Sequence, residues 1–223
     1  MLDERRWDNL VARLSGRLPK PDVFQHLVSA YSEPHRRYHN LDHVRHCLSE
    51  LDSASALAEN LDPVEFALWL HDAVYDPKAT ENEEKSALWA VEILKETGCP
   101  NRTREHVSDL ILATKHRRAP ADRDAELILD IDLSILGQPP EVFDLYEESI
   151  RAEYSWVPVS MYAAARTRVL RSFLDRPRLY FTSHFEGLYA AQARANLTRA
   201  VAALEPSAGK DHGAIVDHLQ FPS

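Results

Sequence analysis

Glycine is scarce in this chain, at six of 223 residues, and there are two cysteines, Cys47 and Cys99. So few cysteines exclude a disulfide-stapled scaffold and suit a reducing compartment. No apolar run approaches the roughly 18 residues expected of a membrane helix. The opening segment, MLDERRWDNLVARL, carries charge where a signal peptide would be apolar. Basic residues are outnumbered by acidic ones, 26 to 35, for a net charge of −9. That balance argues against a nucleic-acid polymer as partner. Long period-two alternation is missing, as are Asn-Gly and Asp-Gly turns, so strands are not expected. Internal repeats and low-complexity segments are also lacking. These absences leave the expectation of a cytoplasmic protein with no membrane association.

What is present is helical. Hydrophobic residues make up 44% and charged residues 27% of the chain, which is globular composition. Thirteen prolines fall mostly between candidate helices, and Gly16, Gly98 and Gly137 stand where helices would end. Val142, Tyr146, Ile150 and Tyr154 step by four, onto one helical face. Thr80 and Glu83 fit a capping box opening a helix through Leu94, and Asn101 fits an N-cap for the next one. The reading is all-α, eight to ten helices in a compact single-domain bundle over 1–205, followed by a loosely held tail over 206–223.

Eleven histidines is a high count for this length. Three segments concentrate the informative ones. YHNLDHV, residues 38–44, places His39 and His43 four apart, on one helix face if the helix begins by His39. ALWLHDAVYDP, residues 67–77, is an apolar run ending in His71–Asp72, with Tyr75 and Asp76 one turn on. LILDIDLSILG, residues 127–137, sets Asp130 and Asp132 in an apolar stretch. Aspartates among apolar residues are costly unless something compensates them, and a cation would do so. Imidazole with carboxylate suits a divalent ion such as Mn, Fe, Co, Ni, Zn or Mg. Neither cysteine has a CxxC partner, so a zinc finger is excluded. Trp69 and Trp89 read as core aromatics.

The order HxxxH, then His-Asp, then Asp-x-Asp resembles the HD superfamily of metal-dependent phosphohydrolases, over about residues 35–137. The first segment is also similar to the YHNxxH signature of cyclic-nucleotide phosphodiesterases within that superfamily. The chain as a whole resembles a smaller group of predicted HD hydrolases sharing YHNxxHV, HDxVYDP, NEEKSA and DLSILG. The resemblance implies an all-α fold and hydrolysis of a small phosphorylated molecule, a nucleotide or another phosphate ester, by metal-activated water. It implies His43, His71, Asp72 and Asp132 as metal ligands and His39 as general acid. Asp72 would also help orient the attacking water. Motifs of the form Asp-x-Asp generally use the second aspartate, which leaves Asp130 as a partner of a ligand or a helix cap.

Asp76, Glu83 and Glu84 are candidates for a second metal site or for orienting water. The two glutamates also suit a first helical turn electrostatically. In the guanosine-tetraphosphate hydrolase branch a Glu-Asp pair stands where this chain has Tyr75–Asp76, which argues against that activity here. His116 fits a slot that several branches fill with an extra histidine, and Lys115 lies beside it. Arg36 and Arg37 flank the first motif and are placed either to meet a phosphate or to be surface charges. A non-catalytic metal- or nucleotide-binding regulatory module is the alternative, and oxidation at a di-iron centre a narrower one.

Overall fold

The computed structural model describes residues 3–116 and 119–205; the expected tail over 206–223 lies outside them. Ten α-helices and two short 3-10 helices make up the described residues, with no strand among them. No described helix is long and apolar enough to cross a membrane. Contacts divide the chain into two units, Met1–Ile131 and Asp132–Ser223.

The first unit holds α1 (Glu4–Ser15), α2 (Val23–Tyr31), α3 (Leu41–Ala54), α4 (Leu61–Leu70), α5 (Asn82–Glu96), α6 (Asn101–Ala113) and α7 (Arg123–Asp132), whose last residue is the first of the second unit. Its axis is α4. Every residue from Pro63 to Leu70 is buried, as expected of a helix apolar all round, and α1, α3, α5 and α6 pack against it. Trp7 stacks on Phe66 at 5.2 Å between ring centroids and meets Trp69 edge-on at 5.6 Å. Glu65 is the acid within that buried stretch. Arg6 Nε donates to it at 2.6 Å, and Arg13 reaches its other oxygen. Asp124, at the start of α7, accepts from the Glu59 and Asn60 amides, the Asn60 side chain and His106.

In the second unit a 3-10 helix (Leu133–Gly137) precedes α8 (Pro140–Glu153), α9 (Val159–Leu174) and α10 (Ser183–Leu204). α10 packs on the 3-10 helix and on α9. Asn196 donates to the Leu136 and Gln138 carbonyls. A β-carbon at Gly137 would fall on Tyr189, so only glycine permits this close approach. Arg166 is fully buried; it donates to Glu147 and to the Tyr146 hydroxyl, each at 2.6 Å. Arg194 donates to the carbonyls of Leu174, Arg176 and Pro177 at the end of α9.

Several local expectations are corrected. α5 begins after Glu81 with no side-chain cap, so Thr80 and Glu83 form no capping box. Asn101 is the first residue of α6, and its amide donates to Glu105 instead of capping. On α8 the buried apolar positions are Phe143, Tyr146 and Ile150, with Tyr154 buried just beyond the helix, while Val142 is exposed, so the stripe starts one residue later than expected. Gly16 and Gly98 do end helices, both at positive φ.

Candidate metal centre

The YHN turn sets the centre's first side. The Asn40 side chain accepts from the Asp42 amide at 2.8 Å and caps α3, which therefore begins at Leu41. His39 lies in the turn ahead of the cap, so His39 and His43 are not a pair on one helix face. The capping geometry carries His43 into the first turn of α3, where it is buried, with Cys47 one turn further along. His71 comes from the other side, as the residue closing α4. Its Nδ1 lies 2.9 Å from the Leu68 carbonyl. With Nδ1 turned to that carbonyl, Nε2 is the ring atom that faces His43 and Asp72.

The two Nε2 atoms of His43 and His71 are 3.0 Å apart. Asp72 Oδ2 is 3.1 Å from His71 Nε2 and 3.4 Å from His43 Nε2. Two ligand atoms each about 2.1 Å from one ion stand about 3.0 Å apart at a right angle and about 3.4 Å apart at a tetrahedral angle. The triangle has that size. Burial on its own would raise the Asp72 pKa. The His71 charge, the hydrogen bonds from His43 and His71, and the His39 charge outweigh it and hold the carboxyl well below its usual range.

His43, Cys47, His71 and Asp132 offer ligand atoms that all lie within 4.8 Å of one another, a group able to hold a metal ion. Asp132 reaches it as the C-terminal residue of α7. Asp130 is fully buried but outside this group. Residues two apart on a helix point to different sides, which separates the two aspartates. Cys47 is not among the ligands expected from the sequence. Its signal was the i, i+4 spacing from His43, which a search for CxxC pairs does not catch.

Arg36 ties the two sides together. It is buried, and its Nη1 donates to the His39 carbonyl at 3.0 Å and the Asp72 carbonyl at 2.6 Å, while Nη2 donates to Ala73 at 2.9 Å. Its guanidinium also sits over the Tyr31 and Tyr75 rings. These bonds fix backbone and correct the suggestion that Arg36 meets a phosphate. The buried His39 ring stacks on Tyr75 at 4.4 Å and meets the His43 ring edge-on at 5.9 Å. Arg37 is exposed.

The remaining candidates sit on the segment after His71–Asp72 and at the end of α6. Asp76 is exposed, and its carboxylate accepts from the Lys78 amide. Asn82 spans the same turn, bonding both the amide and the carbonyl of Asp76. Lys115 bonds Glu84 and the Thr80 carbonyl and lies 3.6 Å from Glu83. Burial raises the Glu83 pKa most. Its own amide opposes that shift, and the nearby Asp72 charge adds to it. Glu84 and Lys115 also line a cavity of about 620 Å³ with His106, Asp109 and Asp122. His116 follows α6 at φ 53°, half-buried and outside the metal-ligand group.

The donor set fits a divalent ion: imidazole nitrogens, carboxylates, and one thiol. Comparison with known proteins adds no relative: no protein-family profile matches the chain, no curated protein matches it, and no solved structure matches it.

Proposed function

We propose that the protein is a metal-dependent phosphohydrolase acting on a small phosphorylated molecule, a nucleotide or another phosphate ester. The observation that carries this reading is the triangle of His43 Nε2, His71 Nε2 and Asp72 Oδ2, at 3.0–3.4 Å on every side. The order of the motifs supplying those residues, with its resemblance to the HD superfamily, supports the reaction class. A divalent ion bound there supplies Lewis-acid polarisation of a phosphoryl oxygen and lowers the pKa of water.

The chain's own groups supply the rest. Asp72 stays anionic and accepts a hydrogen bond from an attacking water, orienting it. His39, stacked on Tyr75 and tied through its carbonyl to Arg36, is the group that protonates the leaving oxygen. Arg36 keeps the His39 and Asp72 backbones in register. Lys115, beside Glu83 and Glu84, supplies positive charge for a substrate phosphate. Asp76 is read as holding the turn that presents Tyr75.

The test is a panel of phosphomonoesters, phosphodiesters and nucleotides, run with each candidate ion. Turnover should appear with at least one ion and vanish in His43→Ala and Asp72→Ala. His39→Ala should keep its metal and lose turnover. An active, metal-free Asp72→Ala would sink the proposal. Tight nucleotide binding without turnover on the whole panel would replace it with a regulatory module.

A further inference from the structure

We infer that Cys47 is a thiolate ligand of this centre, making it selective for zinc, cobalt(II) or iron(II) over magnesium and manganese. The inference rests on the metal-centre reading and is independent of the hydrolase reading.

Three observations carry it. Helix α3 sets Cys47 one turn after His43, on the same face. Its Sγ lies 3.8 Å from both ring nitrogens of His43. It is also within 4.8 Å of the ligand atoms offered by His71 and Asp132. A nitrogen at about 2.0 Å and a sulfur at about 2.3 Å from one tetrahedral ion stand about 3.5 Å apart. The Sγ to Nε2 distance differs from that by little more than a small side-chain rotation. Cys47 is fully buried, so its sulfur faces this group rather than solvent.

The chemistry follows from ligand softness. Carboxylate and imidazole alone accept magnesium or manganese as well as zinc. A thiolate shifts the preference strongly toward softer, more thiophilic ions. Binding would release the Cys47 proton to solvent, so uptake of the ion liberates acid. The competing account is a small buried side chain packed under His43, with its sulfur protonated whether or not an ion is bound.

Cobalt(II) titration of the metal-stripped full chain separates the two. The expected result is visible d–d absorption together with a near-ultraviolet thiolate-to-cobalt charge-transfer band. Cys47→Ser should retain the d–d absorption and lose the charge-transfer band, with zinc affinity falling about tenfold or more. Cys47→Ala, which buries no new polar group, should behave alike and shows that the loss is not unfolding. Wild-type cobalt protein with d–d absorption but no charge-transfer band overturns the inference and leaves the metal centre standing. No cobalt binding at all overturns both.

Discussion

Arg36 Nη1 donates to the backbone carbonyl of Asp72 at 2.6 Å, from a side chain that is itself buried. The same guanidinium holds the carbonyls of His39 and Ala73. One residue thereby sets the distance between the turn carrying His39 and the His-Asp pair. Arg36→Ala strips two buried carbonyls and one half-buried carbonyl of this donor. An unsatisfied buried acceptor costs roughly 1–3 kcal/mol, and neighbouring losses are not additive. The expected destabilisation is on the order of 3 kcal/mol by denaturant titration. Arg36→Lys should recover only part, since an ammonium does not reproduce the planar fork.

Asp124 gives a pH prediction. Burial alone would raise its pKa. The hydrogen bonds from the Asn60 side chain and amide, the Glu59 amide and His106 outweigh that and lower it. A carboxyl with a depressed folded pKa stabilises the fold above its unfolded value, about 3.9. That contribution is lost as the pH falls through the folded value. Asp124→Asn should therefore cost stability at pH 7, and the gap to wild type should shrink as the pH drops below about 4. A pH-independent gap would show that charge is not what Asp124 contributes.

Glu65 and Arg6 should not respond alike to substitution. Removing Arg6 leaves Glu65 buried in α4 with only the longer Arg13 contact, at 3.4 Å. Arg6→Ala should cost about 1–3 kcal/mol, discounted because Arg6 itself is partly exposed. Glu65→Leu removes the buried charge and should cost less, since Arg6 keeps its bidentate bond to Asp52. Thermal unfolding of the two variants ranks them.

Gly137→Ala forces a methyl group onto Tyr189. Overpacking against a neighbouring helix costs about 1–3 kcal/mol. The expected effect is a lower melting temperature with the helical circular-dichroism spectrum of the native state unchanged.

Much of this molecule was legible in its sequence, for identifiable reasons. The helical class followed from apolar spacing and from glycines at helix ends, because those signals are local. Helix starts were less legible. Thr80 and Asn101 have capping chemistry, but α5 and α6 begin after Glu81 and Pro100 with no side-chain cap. The stripe on α8 turned on whether Val142 or Phe143 faces inward, and Phe143 does. At the site, the apolar runs drew attention to His71–Asp72 and to Asp130 and Asp132 because buried charge needs compensation, while His43, and Asp132 over Asp130, came from the resemblance. Cys47 was not picked out, since its one signal, the i, i+4 spacing from His43, is equally that of an ordinary core cysteine. The role of Arg36 was hidden for a different reason: its partners are backbone carbonyls, which no residue letter encodes.

The most direct measurement of the central claim is the metal content of the purified full chain, by elemental analysis, beside that of His71→Ala. The account predicts near-stoichiometric divalent metal in the wild type and its loss in a His71→Ala protein that keeps its helical spectrum. A wild-type protein that retains no metal, and takes none up on dialysis against zinc, cobalt or manganese, would contradict it.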